Sequence, residues 1–542
     1  MTDAPVTISR TAPPATPKPG IEPAAHQGLI DQLRQIVGGD NASASDADRA
    51  FFAEDTFRSL ETPLLAVAPA SVDELSRVAA ACHRAGVAIV PRGGGMSYTD
   101  GYLHTRQASV AIDMRRMDKI LEINETDMYV TVECGATWAS LNEALKSRNL
   151  RTPYWGPLSG LKSVVGGALS QNSVFFGSGF YGTAVEQAVG LTVVLADGAV
   201  LPVGGHAIER GKPFMKHYGP DLMGLFLADA GSMGIKATVT LRLMRRPEHR
   251  RHIAFTFATG QAMAEALSAL SREGLSTEAM GFDVGQQSAR AIEAKRSLKE
   301  DFRTLFKVIE QGGVIDGLKV ALAGRGYLKD VPYGMHVAVE DKTEAGVKEL
   351  ARRARQICKD LGGKPIPASI TRIVHADPFV PTDSIVGPKG ERWIPVHCIV
   401  PHSQAADIVT KVQALYARYA AIKEKHSIRT GFLLITVGAY GFLIEPVFFW
   451  PDSRLGMYSR AVRPEHLARL PEYPAAPEAR AAVLQMREEL AQLFVEVGAV
   501  SMQLGKFYLY DRALKPETWA LLQKVKSLVD PARLLNPGAM KV

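Results

Sequence analysis

The chain has 542 residues, of which 46% are hydrophobic and 22% charged, with a formal net charge of +7. That is enough for several domain-sized units with their own cores, and it excludes a disordered or fibrous protein. Lysines and arginines are scattered and not massed in one run, so no nucleic-acid partner is expected, and four widely spaced cysteines without a CxxC pair argue against a zinc site or a disulfide framework.

Residues 1–25 contain Pro5, Pro13, Pro14, Pro17, Pro19 and Pro23 and no apolar stretch, which reads as a flexible tail without a secretory signal and makes the cytoplasm the expected location. Leu64 to Val67 is a short strand, and Ser71-Val72-Asp73-Glu74 is a capping box opening a helix through His83. Val87 to Val90 is a buried strand that runs into Pro91-Arg92-Gly93-Gly94-Gly95-Met96-Ser97-Tyr98, a glycine cluster whose bare backbone can approach phosphates. Strands are expected at Ser109 to Asp113 and Tyr129 to Glu133, then a helix near Trp138 to Arg148 and a glycine-rich segment from Gly156 to Gly182. Leu191 to Leu195 and Ala199 to Val203 flank Ala196-Asp197-Gly198 as a hairpin. Alternating strands and helices imply an α/β layer.

From Arg251 the texture changes. A strand at His252 to Phe257, a helix at Gln261 to Glu273, a less regular insert, a strand at Gly334 to Glu340 and a helix from Lys342 to Leu361 form two βαβ halves of a second domain. Trp393 to Val400 and the segment Gly431 to Trp450 complete its sheet. The latter has the length and apolarity of a membrane span, but Glu445-Pro446 and the break at Gly438 to Gly441 favour two buried strands joined by a turn, so no transmembrane segment is expected. Glu445, a carboxylate in an apolar strand, must find a partner or shift its pKa; a base, a substrate orienter and a structural ion pair all satisfy that demand. Helices at Glu478 to Val497 and Lys515 to Val529 lead to Asp530-Pro531 and Leu535-Asn536-Pro537-Gly538.

Three separated segments carry the strongest signal: the loop Pro91 to Tyr98; Val165-Gly166-Gly167-Ala168-Leu169-Ser170-Gln171-Asn172 with Gly177 to Gly182 and Gly190 to Gly198; and Gly219-Pro220-Asp221-Leu222 with Ala230-Gly231-Ser232-Met233-Gly234-Ile235. With the closing Asn536-Pro537-Gly538, their order and spacing resemble the vanillyl-alcohol oxidase / p-cresol methylhydroxylase family over about residues 60–245 and the last ~40. The resemblance implies an α+β (α/β) fold: a PCMH-type FAD-binding domain of two α/β subdomains at 26–248, a cap with an antiparallel sheet flanked by helices at 249–475, and a C-terminal return at 476–542. It implies FAD as cofactor. Pro91, Arg92, Gly93, Gly94, Gly95, Met96, Ser97 and Tyr98 would wrap the pyrophosphate, with Arg92 supplying charge. Gly156, Pro157, Leu158, Gly166, Gly167, Ser170, Asn172, Tyr181 and Gly182 would flank ribityl and flavin, Gly234 and Ile235 the adenine side, and Asn536 the ring. Met96 stands where some relatives tether FAD through histidine, and no cysteine lies near Ser159, so neither link is expected; a tether from the cap stays open. No GxGxxG pattern of the NAD type is present.

Relatives acting on 2-hydroxy acids carry histidines that hold a metal; Gly438 to Glu445 and Ser501 to Lys506 lack them, so no metal is expected. Phenol-oxidising relatives resemble this chain at Arg392 to Pro401 and Phe448 to Asp452, although Pro157 to Ser163 lacks the acid of vanillyl-alcohol oxidase. Candidate catalytic residues are Tyr440, Glu445, His397, Gln503, Lys506 and Arg372, with His375 and His402 behind them; each has a plain structural alternative as a core or surface residue. The expected function is FAD-dependent oxidation of an alcohol carbon, in a 2-hydroxy acid such as D-lactate or glycolate or in an aromatic or benzylic alcohol. The alternatives are a 4-alkylphenol or vanillyl-alcohol type of oxidase, a non-redox reaction on the same fold, and a non-catalytic FAD-bearing subunit. The expected partners are a small-molecule substrate, an electron acceptor (oxygen, a cytochrome or a quinone) and, by the resemblance, a second copy in a homodimer.

Overall fold

The computed structural model describes residues 6–14, 23–286 and 331–542. Most of the irregular insert expected before Gly334 lies outside the described residues.

The first domain holds two sheets. In the smaller one, Leu65–Val67, Ser109–Asp113 and Ala88–Arg92 run parallel, with the short strand Ala42–Ser43 at the edge. The helix Val72–Arg84 crosses over this sheet and starts as expected: Ser71 Oγ accepts from Glu74 N (3.1 Å), while Glu74 Oε2 reaches back to Ala70 N (2.8 Å). The second sheet is antiparallel, in the order Ile120–Asn124, Tyr129–Glu133, Ile235–Arg242, Ala188–Val194, Val200–Gly204, and its last pair is the hairpin around Asp197-Gly198.

The chain end returns to the first sheet. Ile89 N donates to Leu534 O (2.8 Å) and Asn536 N to Ile89 O (2.8 Å), which lays Leu534 to Asn536 beside the strand feeding the glycine loop. Sequence order hides this closure, because the partners are more than four hundred residues apart.

The cap is one large, mainly antiparallel sheet in the order Lys364–Pro365, His249–Phe257, Tyr333–Asp341, Glu278–Phe282, Arg429–Val437, Gly441–Trp450, Arg392–Pro395, with Cys398–Val400 continuing the last pairing. The membrane-like stretch is thus two sheet strands joined at Gly438, and no helix among the described residues is long and apolar enough to cross a membrane. Strand alternation sorts the side chains. Ile394, Val396, Cys398, Val400, Phe442, Ile444, Phe448 and Trp450 join the core under the helices Gly260–Arg272, Glu344–Asp360, Ala405–Arg418 and Pro477–Glu496. The opposite face, with Met280, Phe282, Leu433, Ile435 and Leu443, packs on the first domain.

Two features fasten the parts together. Glu340 on the cap lies between Arg151 of the first domain (2.6 Å) and Arg250 (Nε at 2.7 Å), all but Arg250 fully buried. Residues 6–14, expected within a flexible tail, instead form a strap: Ser9 N donates to Gln485 Oε1 (2.8 Å), Arg480 Nη1 to Pro13 O (2.8 Å), and Val6 and Ile8 pack on the cap core. The reason is that helix Pro477–Glu496 offers polar Gln485 and Arg480 to a passing extended backbone, which a proline-rich segment supplies without forming structure of its own.

Candidate active site

The loop from Arg92 to Tyr98 leaves the carboxyl end of its parallel strand and presses against residues 162–167. A Cβ on Gly94 would lie 1.8 Å from Lys162 O, and one on Gly93 2.3 Å from Val164 Cγ2, so only bare backbone fits. Gly166 is equally confined, its added Cβ 2.6 Å from Cys134 Cβ. Gly167 and Ser170 lie on the same short helix Val165–Gln171, which ends at Asn172 in the left-handed conformation.

Arg92 braces this loop from within. Its Nη1 donates to Phe51 O (2.7 Å), and its guanidinium lies 4.3 Å from the ring centre of Phe51 and 4.6 Å from that of Tyr102. Its charge is spent on main-chain oxygen and ring faces instead of standing free, a role different from the one expected. Asn536 is likewise used up by the protein: Nδ2 donates to Gly101 O (2.8 Å) and Ala230 O (2.6 Å), and Oδ1 accepts from Lys506 Nζ (2.6 Å). Lys506 also donates to Leu103 O (2.7 Å), and burial pulls its pKa down to about 7. Lys506 and Asn536 therefore pin four backbone segments around the loop and do not face a ligand with a spare polar atom.

Above the loop, the apolar face of the cap sheet is interrupted by a polar row. The pairing of Pro395 with Val447 and of Cys398 with Ile444 sets His397 directly opposite Glu445, and Leu433 flanks Glu445 on the other side. Tyr98, at the end of the glycine loop, rises to this row. Tyr98 Oη donates to Glu445 Oε2 (3.0 Å) and accepts from Gln503 Nε2 (3.3 Å). Its ring meets Trp393 edge-on at 5.6 Å and His397 at 5.7 Å. Burial and the neighbouring carboxylate raise the Tyr98 pKa well above 10, so it is a neutral hydroxyl at ordinary pH. Beyond Trp393 the face continues as a small apolar patch with Val447 and Phe449. Gln503 is a non-glycine residue at φ 51°, and its own N–H donates to Gln171 O (2.8 Å).

Of the expected catalytic residues, Glu445, His397 and Gln503 are brought together here. Tyr440 is not: it is 59% exposed on the hairpin turn, its hydroxyl donating to Glu186 Oε1 (2.6 Å), because the turn carries it past the end of the sheet. His402 bonds Ala439 O (3.2 Å) at the same surface. Arg372 and His375 lie on the helix Ser369–Ala376; Arg372 Nη1 reaches Ala368 O (3.2 Å), and His375 Nε2 sits 3.2 Å from Glu278 Oε2 in the charge network that fastens the domains. Phe379, just past that helix, closes on Gly156 and Gly160, where added Cβ atoms would be 3.0 and 2.3 Å from its ring; Pro157 and Leu158 lie between them. Tyr181 and Gly182 lie beside Arg151 and Glu186, and Gly234 and Ile235 lie in the cores under the first domain's sheets. Trp393 and Gln171 also belong to the site; Gln171 stands beside Asn172 in the second motif, and Trp393 lies on the strand Arg392–Pro395, just before His397.

The donor chemistry fits a flavin nucleotide. Among the described residues, the buried side-chain oxygens Gln171 Oε1, Asn172 Oδ1 and Gln503 Oε1 have no partner. Orphaned acceptors beside this loop fit a ligand rich in hydroxyl and N–H donors, which the ribityl chain and ring of FAD provide.

Comparison with known proteins agrees. A family model described as "FAD binding domain" matches residues 63–204, and one described as "FAD linked oxidases, C-terminal domain" matches 478–540. A glycolate oxidase subunit GlcD of Bacillus subtilis is 30% identical over 239 residues, 44% of this chain and 49% of that protein. The D-lactate dehydrogenase [cytochrome] 1 of Saccharomyces cerevisiae is 25% identical over 268 residues, 48% of this chain and 44% of the relative. The chain spans about half the length of these curated relatives. Among solved structures, p-cresol methylhydroxylase with substrate bound superposes with a TM-score of 0.71 at 15% identity, covering 97% of this chain and 98% of that one. The 4-ethylphenol oxidase from Gulosibacter chungangensis gives 0.70 at 15% identity, covering 97% and 99%. The chain thus carries the FAD-binding and C-terminal domains of the FAD linked oxidases on a p-cresol methylhydroxylase fold.

Proposed function

We propose that this chain, an FAD-linked oxidase by its domains and fold, oxidises the carbinol carbon of an aromatic or benzylic alcohol. The observation that carries the reading is the Tyr98–Glu445 bridge set against the wall of Trp393, Val447 and Phe449. An apolar aromatic wall beside a carboxylate suits a neutral, ring-bearing alcohol, whereas a 2-hydroxy acid would bring its own carboxylate against Glu445. The solved neighbours that superpose are named for p-cresol and 4-ethylphenol, which share the aromatic ring; the sequence relatives named for glycolate and D-lactate represent the second substrate class.

FAD, when bound, supplies the hydride acceptor. Backbone of residues 93–95 and the side chains of Gln171, Asn172 and Gln503 would hold it. Tyr98 and Glu445 handle the proton: as the alcohol oxygen becomes a carbonyl, its proton passes to Tyr98 Oη while Tyr98 hands its own to Glu445 Oε2. Trp393, Val447 and Phe449 hold the ring and exclude water from the carboxylate. The proposal includes a cytoplasmic homodimer reoxidised by oxygen, a cytochrome or a quinone.

Anaerobic mixing of the FAD-loaded protein with a panel of benzylic alcohols and D-2-hydroxy acids tests the reading. Bleaching of the flavin absorbance by the benzylic set is expected. Bleaching by the hydroxy acids alone, or by neither set, overturns it.

A further inference from the structure

A cleft of about 520 Å³ lies where three neighbouring strands of the cap sheet end: Glu391 stands just before Arg392–Pro395, Arg429 opens Arg429–Val437, and Pro451 follows Gly441–Trp450. That volume suits a small molecule. Arg429 pairs across the sheet with Phe449, four residues along the strand from Glu445, so at about 3.3 Å per residue it stands at least ~13 Å from the residue that Tyr98 bridges to. The cleft is therefore a separate place from the candidate active site.

Its lining divides into an apolar part and a charged part. Ala420, Ile428, Pro451 and Tyr473 form the first, and the Tyr473 hydroxyl is fixed by donating to Lys389 O (2.9 Å). Most of the charges cancel. Arg429 gives Nε (3.1 Å) and Nη2 (2.7 Å) to Glu391 Oε1, while Glu391 Oε2 accepts from Lys389 N (2.8 Å). The side chains of Lys389 and Glu424 are exposed, opposite in sign and screened by water. Lys423 is left over. It is half-buried, and among the described residues its amine meets Tyr416 O at 3.3 Å and the face of the Tyr416 ring, 5.3 Å from the centre, without an ion pair. Burial lowers its pKa against the attraction of Asp283, whose carboxylate is already held by the backbone N–H groups of Gln286 and Phe432, each at 3.0 Å.

An ammonium carries three donors, so Lys423 has two to give after its bond to Tyr416 O, and a carboxylate is the acceptor with which it bonds most strongly. We infer that the cleft binds a small aromatic monocarboxylate, its ring against Ile428, Pro451 and Tyr473 and its carboxylate on Lys423. A neutral ring of the same shape leaves the ammonium unmatched, and a phosphate gains nothing from the apolar lining and finds one uncommitted half-buried cation where it needs several. The site does not depend on which alcohol the flavin oxidises. It does back onto the candidate active site, because the Arg429 guanidinium lies 4.8 Å from the ring centre of Phe449, which stands opposite Trp393.

Isothermal titration calorimetry of the FAD-loaded protein with benzoate, benzamide and inorganic phosphate tests the inference. Benzoate should bind the wild type at least ~10-fold more tightly than benzamide or phosphate, the equivalent of one charge-assisted hydrogen bond. Lys423→Met should weaken this binding at least ~10-fold, and Lys423→Arg, which keeps the charge, should hold it within about threefold of the wild type. Ala420 is exposed at the start of the helix Ala420–Lys425, so Ala420→Trp fills the cleft without entering a core and should remove one bound benzoate per chain even if the lysine variants fail to fold. A wild type that binds no benzoate, or binds benzamide or phosphate as tightly, overturns the inference. Benzoate binding left at full strength and stoichiometry in Ala420→Trp places the ligand elsewhere, at the flavin for instance, and overturns it as well.

Discussion

Replacing Lys506 by methionine, which keeps the length of the stem and removes the amine, should make the protein lose a specific pH dependence. Lys506 Nζ donates to Asn536 Oδ1 at 2.6 Å and Leu103 O at 2.7 Å, and burial lowers its pKa from 10.5 to about 7. Between those two pH values the unfolded chain holds a proton that the folded chain does not. Wild-type stability should therefore rise with pH relative to Lys506→Met, by about 1.4 kcal/mol per pH unit for one proton. From pH 7.5 to 9.5 the difference should grow by about 3 kcal/mol, and below pH 7 it should level off because both states are then protonated. Urea unfolding followed by tryptophan fluorescence at matched ionic strength measures it, and the subtraction cancels titrations common to both proteins. A difference that stays flat over that range, or that falls as pH rises, refutes the placement of a buried amine in this pinning role.

Other expectations follow from single contacts. Gly94→Ala forces a Cβ onto Lys162 O and should weaken FAD binding at least ~10-fold in a fluorescence titration, whereas Gly28→Ala, whose added Cβ meets nothing within 4 Å, should leave it unchanged. Tyr98→Phe removes the hydroxyl joining Glu445 and Gln503 and should slow flavin reduction by benzylic alcohols about 100-fold in stopped flow; a loss under threefold would contradict the relay. Glu340→Gln leaves Arg151 and Arg250 without their shared carboxylate and should cost about 3 kcal/mol, seen as a lower urea midpoint with FAD bound or absent.

Local chemistry was legible along the chain wherever neighbours in sequence decide structure. The capping box at Ser71, the Asp197-Gly198 hairpin and the two strands hidden in a membrane-like run are all set by propensity and period, and the glycines of residues 93–95 announce a loop that backbone alone can fill. The motif spacing pointed to an FAD-binding domain, which the family comparison bears out over residues 63–204. What no local pattern contains is which distant groups satisfy one another. Arg92 and Asn536 stand in the right motifs, yet tertiary contacts spend their polar atoms inside the protein; Tyr440 has a suitable side chain on a turn that carries it to the surface. Conversely, His397, Glu445, Tyr98 and Gln503 come from four separate segments, and only strand register and the crossing of the C-terminal segment bring them to one place. A hydrogen bond has a reach of about 3 Å whatever the sequence separation, so the loops could be named from residue order while the assembly of the site was decided by the packed fold.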